Sequence, residues 1–170
     1  MRLLCAALPL LLLAGAASAA SPWTTFNDPD GVFRVSMPSA PKTQTDSVTN
    51  TDGTPVGMME YVIDRGDNAM LVIISDLTRY PDADHDKVIA GAVDGAQKSA
   101  KLVQQTATRL DGQSGQEVIL NDASGNTIDD RIFFVHGKLY QVMYVLPPKA
   151  APVLVADVKR YTRSFHFVRH

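Results

Sequence analysis

The run TIDDRIFFVHGKLYQVMYVL, residues 127–146, constrains this chain more than any other stretch. Two extended segments flank His136-Gly137, and Gly137 supplies the positive φ of a tight two-residue turn, so the run reads as a β-hairpin. Near its tip both faces are apolar. Ile132 and Phe134 alternate with Phe133 and Val135, and on the return strand Leu139, Met143 and Val145 alternate with Tyr140, Val142 and Tyr144. Such a hairpin cannot leave one face in water. It belongs inside a sheet that is covered on both sides.

The rest of the chain offers partners for it. WTTF (23–26), the turn NDPDG (27–31) and VFRVSMP (32–38) read as short strands, and a second pair surrounds TDGTP (51–55). AMLVIISD (69–76) is apolar on both faces, while LVQQTATRL (102–110) and QEVILND (116–122) flank the turn DGQSG. Two segments change period. From Asp84 to about Lys101, the residues Val88, Ile89, Ala92, Val93, Ala96 and Ala100 recur at helical spacing. Gly91 and Gly95 lower helix propensity there, which suggests a helix lying close against a sheet. The second helix runs from about Ala151 to Ser164, with Pro152 in its first turn and the stripe Leu154, Val158, Tyr161, Phe165. The expected fold is therefore α+β: an α/β/α sandwich with a curved, mainly antiparallel sheet and a helix on each face.

The first residues bear on where the chain works. One Arg precedes an apolar run from Leu3 to about Ala14, and Ala17-Ser18-Ala19 follows with the small-x-small pattern of a signal peptidase site. We read 1–19 as a secretory signal cut after Ala19 or Ala20, and 20–170 as a single domain. Cys5 leaves with the signal, so the mature chain holds no cysteine and no disulfide, thiolate metal site or catalytic thiol. About 150 residues bury enough surface to stand on their own core. No other stretch reaches the length of a membrane span. The expected location is bacterial, periplasmic or secreted.

Net charge is −2, and losing the charge of Arg2 makes it −3, which argues against a nucleic-acid binder. The distribution is uneven. Lys149, Lys159, Arg160, Arg163 and Arg169 stand against Asp157 alone near the C-terminus, and Lys159, Arg160 and Arg163 form the candidate partner-binding face. RYPDADHDKV (79–88) holds the densest set of metal-ligand types, with Asp82, His85 and Asp86 as weak candidates. Consecutive residues fan out around a helix, however, and the run has no calcium-loop glycine or terminal Glu. A simpler reading has Asp82 or Asp84 capping the first helix and the other acids in its first turn. NDPDG (27–31) and NDASGN (121–126) are ordinary turn compositions.

No catalytic pattern stands out. Ser114 in GQSGQ lacks the second glycine of a nucleophile elbow, because Gln116 occupies it. His85, His136, His166 and His170 are scattered over a helix start, a hairpin tip and the C-terminus, and Glu60 and Glu117 are the only glutamates. Met58, Met59, Met70 and Met143 read as core or sheet-face residues rather than a soft-metal site. No cofactor is expected.

The order of these pieces is similar to a known family. DGVFRVSMPSAPK matches an opening of the form D-G-x-F-x-V-x-x-P-x-x-P; RYP, LDGQSGQEV, RIFFVHGKLYQVMYV and YTRSFHF follow in order. Together they resemble exported bacterial proteins of the PsbP-like/Mog-like superfamily, over nearly the whole mature chain. The resemblance implies an α/β/α sandwich and a role in binding protein partners, and it assigns no catalytic residues. The functional expectation is an exported non-enzymatic module that binds a protein in the cell envelope. A periplasmic small-ligand or metal-binding protein is the alternative, and a hydrolase would require a buried Ser–His or Asp–His contact.

Overall fold

A computed structural model describes residues 22–50 and 53–168. The expected leader (1–19), its cut after Ala19 or Ala20, Cys5, Arg169 and His170 lie outside these residues. In chain order the elements are β1 (Thr24–Asn27), β2 (Phe33–Met37), β3 (Lys42–Thr49), β4 (Pro55–Asp64), β5 (Ala69–Asp76) and α1 (His85–Ala96). Then follow β6 (Ala100–Leu110), β7 (Gln113–Asp122), β8 (Thr127–Val135), β9 (Lys138–Leu146), α2 (Pro152–Ser164) and β10 (His166–Phe167).

Seven strands form one antiparallel sheet in the order β3-β4-β5-β9-β8-β7-β6. The doubly apolar hairpin β8–β9 sits in its interior, where its composition requires it. The turn between them has positive φ at both His136 and Gly137, and a Cβ on Gly137 would stand 3.2 Å from the Thr78 Cα. Each face of the sheet then has its own core. On one face Tyr61, Met70, Val72, Phe133, Tyr140, Val142 and Tyr144 pack with β2, α2 and β10 through Phe33, Val35, Met37, Val158, Tyr161, Phe165 and Phe167. On the other, Val118, Leu120, Ile132 and Leu139 meet Ile89 and Val93 of α1.

The α/β/α sandwich with a helix on each face is corrected here. The fold is mainly β: among the described residues 52% are in strands and 17% in helices. A second sheet, β1-β2-β10, stands where a helical layer was expected. The physical reason is β2, whose Phe33, Val35 and Met37 are all buried while Arg34 is exposed. A strand with one buried face needs a sheet beneath it, not an edge to extend. Phe33 lies against Phe165 at 5.1 Å and near Tyr140 at 6.4 Å between ring centroids, so β2 roofs the large sheet directly. After α2 the chain returns to pair His166 with Arg34 and Phe167 with Phe33, closing the small sheet.

The first helix is also shorter than its expected Asp84–Lys101 span. It ends at Ala96, and Ala100 already belongs to β6. Gly91 and Gly95 do not serve a close approach, since a Cβ on either would meet nothing within 4 Å. They lie on the exposed side of α1, whose buried contacts are Ile89 and Val93.

Candidate functional site

Burying Val158, Tyr161 and Thr162 leaves the opposite side of α2 in water. Tyr161 is fully buried, and its hydroxyl donates to the Leu71 carbonyl at 2.7 Å, which ties the last turn of the helix to β5. Arg131 on β8 donates to the Thr162 carbonyl at 3.2 Å and pairs with Glu117 on β7 at 2.8 Å. With its inner face fixed, the helix presents Lys159, Arg160 and Arg163 outward, all exposed. Arg163 stands in the last turn, where the helix dipole favours a cation. Arg160 lies over the Trp23 ring, 4.6 Å from its centroid, a cation–π contact. Asp157 is engaged by Arg65 at 3.6 Å.

Sequence reasoning found the cations on this face and missed its apolar half. Val153 and Val155 are 64% and 42% exposed, two of the five large hydrophobic residues in the open among the described residues. The signal was available: Val153, Ala156, Arg160 and Arg163 recur at spacings of three and four, opposite the buried stripe. The result is an exposed arc of α2 with the cations at its centre, Val153 on one flank and Val155 on the other. It is suited to a surface that is both acidic and apolar.

The three weak metal candidates do not converge. Asp84 is the cap of α1, accepting from the Asp86 and Lys87 amides at 3.1 and 3.0 Å. The hydrogen bond from the Lys87 amide holds its carboxyl below the ordinary value. His85 turns its Nδ1 to the neighbouring Asp86 carboxylate at 2.9 Å and its ring toward Phe134. His85 and Asp86 line a groove of about 530 Å³ beside β6. Asp82 lines a different cleft of about 720 Å³, bounded by Leu77, Tyr80, Pro81, Val88 and Leu139 with Arg79 and Lys87 at its margin. No group of three or more His, Cys, Asp or Glu with metal-holding geometry exists among the described residues.

Besides the exposed His85–Asp86 contact, the described residues hold one Asp–His contact between elements. Asp111, at the β6–β7 turn, reaches His166 Nδ1 at 3.2 Å and accepts from the Phe167 amide at 2.9 Å. Both side chains are partly open to water, and among the described residues the ring of His166 hydrogen-bonds no hydroxyl. The pair pins β10 to the sheet. Ser114 stands in the open, accepting from Arg109 at 3.4 Å; it lines one groove with His85, but among the described residues no hydrogen bond joins it to an imidazole.

The most perturbed acids were not singled out from sequence. Asp130 is wholly buried on β8, and strand alternation places it on the α1 face between Ile128 and Ile132. Gln141 donates to its Oδ2 at 2.8 Å, while its Oδ1 has no partner. Burial pushes its carboxyl up to about 7. Asp129, on the opposite face, also has an unpartnered Oδ1, and burial together with the nearby Glu117 raises it to about 6. An acid alternating with isoleucines inside a doubly apolar hairpin was the available warning. Among the described residues no hydroxyl and no second carboxyl hydrogen-bonds Asp130, whose side-chain partner is the Gln141 amide.

No known protein-family profile and no curated protein matches the chain. Among solved structures, it is similar to the solution structure of cyanobacterial PsbP (CyanoP) from Synechocystis sp. PCC 6803. The TM-score is 0.53 at 18% identity, covering 91% of this chain and 96% of that one. The chain has a PsbP-like fold.

Proposed function

We propose that the chain is an exported, non-enzymatic binding module that docks an envelope protein through the outer face of α2. The observation carrying this reading is the pairing of exposed Val153 and Val155 with the exposed cations Lys159, Arg160 and Arg163 on one rigidly anchored helix. Apolar area supplies affinity and the cations supply orientation and on-rate toward an acidic partner. The PsbP-like fold and the Mog-like side of the sequence resemblance support an accessory role. The leader-like opening supports a periplasmic or secreted location, with 20–170 as the working domain.

Crosslinking in the intact cell envelope, followed by mass spectrometry of what co-purifies, tests the reading. Lys159→Glu with Arg163→Glu is the informative variant, because Arg160 also holds Trp23. The dominant crosslinked partner should disappear while the melting temperature falls by no more than about 4 °C, the cost of an acid in the last turn of α2. Retention of the partner by the doubly reversed protein overturns the α2 site.

The 720 Å³ cleft beside α1 favours a second reading, a small-ligand binder. Its size and mixed apolar and charged lining fit a small anionic or zwitterionic molecule. A melting screen against metabolites should then show a hit at ~100 times Kd that adds about 2.7 kcal/mol of stability. Val88→Trp, which narrows the cleft, should abolish that shift.

A further inference from the structure

The geometry points to β6 as the docking edge for an extended, acidic segment of a partner protein, which adds an eighth strand to the large sheet. β6 is the outermost strand, paired on one side only, and its other backbone edge is bonded by no described residue. Proteins usually blunt such an edge with proline, short length, a bulge or a covering element. β6 has eleven residues and no proline. One irregularity, between Leu102 and Gln104, leaves Gln104–Leu110 in unbroken register with Ile119–Gln113. That is roughly 24 Å of open strand at 3.4 Å per residue. The opposite edge is better guarded: on β3 the Asp46 carboxylate takes up the Ser47 amide at 2.7 Å.

The second observation is the groove beside this edge. It runs for about 530 Å³ between α1, through Ile89 and Ala90, and a floor that includes Gln105 and Ala107 of β6. A strand added to β6 points alternate side chains to the α1 side of the sheet, where this groove receives them. Main-chain pairing then gives affinity and the groove gives selection. Charge decides the occupant. β6 carries Lys101 and Arg109 and no acid. Arg109 lines the groove with one long hydrogen bond, 3.4 Å to Ser114. Asp86, the acid on the α1 wall, is turned to its neighbour His85 at 2.9 Å. A carboxylate on the incoming segment would face Arg109. A second copy fits worse, because two β6 strands centred antiparallel on Gln105 would oppose Lys101 with Arg109.

This site lies on the sheet face away from α2, so it stands or falls independently of the α2 surface. To test it, a phage-displayed library of random linear peptides is panned against the purified full chain. Enriched peptides are then mapped by amide hydrogen exchange. We expect acid-bearing, β-forming sequences whose binding slows exchange in Gln104–Leu110. Arg109→Glu should weaken them several-fold and shift a repeated panning toward basic residues, while Lys159→Glu leaves them unaffected. Absence of enrichment overturns the site, and so does protection confined to α2 or β3. Protection of β6 that grows with protein concentration in the absence of peptide would assign the edge to a second copy instead.

Discussion

Raising the pH from 4 to 7 should destabilise this protein, and Asp130→Asn should remove most of that loss. In the folded chain Asp130 ionises near 7 rather than at its ordinary 3.8. Below the ordinary value both states carry the proton, and the fold is at full strength with respect to this group. Between about 4 and 7 the unfolded chain releases the proton while the folded chain keeps it, so unfolding is favoured progressively as pH rises. Above 7 the folded carboxyl ionises as well and the loss levels off. At about 1.4 kcal/mol per unit, the full effect approaches ~4 kcal/mol. Asp129, raised to about 6, adds a smaller slope in the lower part of that window. Urea unfolding followed by circular dichroism across this range measures it. Asn at position 130 can still accept from Gln141 but has no proton to lose, so the variant's stability should fall only up to about pH 6, where Asp129 titrates, and be nearly flat from 6 to 7. A wild-type midpoint that rises or stays level over this range would show that Asp130 is solvated or paired in the folded protein. On the acid side a separate limb is expected, since Asp76, Asp84 and Asp122 are held below the ordinary value by hydrogen bonds and lose that advantage as they protonate.

The legibility of the fold follows where the physics is local. The hairpin 127–146 and the strand 69–76 stand where alternation and apolar runs placed them, because period and turn chemistry are written within a few residues. The small sheet was not legible as a separate layer. Pairing of β2 with β10 joins Phe33 to Phe167 across most of the chain, and nothing in either segment names its partner. The same limit applies to the sites. Lys159, Arg160 and Arg163 could be read as cations on one helix, but the openness of β6 depends on which strand ends the sheet. That order is set by β7 pairing back onto β8, a fact of topology rather than of composition. Asp130 shows the reverse case, where the information was local but its consequence was not. TIDD looks like a polar strand entry until the neighbouring strands close over it.

Gly115→Ala should cost about 3 kcal/mol and lower the melting temperature by roughly 6–12 °C for a domain of this size. In the stretch LDGQSGQEV, Gly115 sits on β7 directly opposite Phe133 on β8. A Cβ there would collide with the Ile132 carbonyl oxygen and lie 2.6 Å from the Phe133 ring. Neither neighbour can yield. The carbonyl belongs to the backbone of a central strand, and the ring is 1% exposed and locked edge-on against Phe167 at 5.6 Å. Relief would require β7 to pull away from β8, next to the β6 edge it carries. Gly91→Ala and Gly95→Ala supply the contrast. Both positions are exposed on α1 with open space around the missing Cβ, so each replacement should stabilise by about 0.5–1 kcal/mol. Thermal unfolding of the three variants separates a glycine required by packing from glycines that are merely tolerated. A Gly115→Ala protein that melts with the wild type would mean that β7 and β8 lie farther apart than the Phe133 contact requires. The floor of the β6 groove would then need to be redrawn, because Gly115 and Gln116 form part of it.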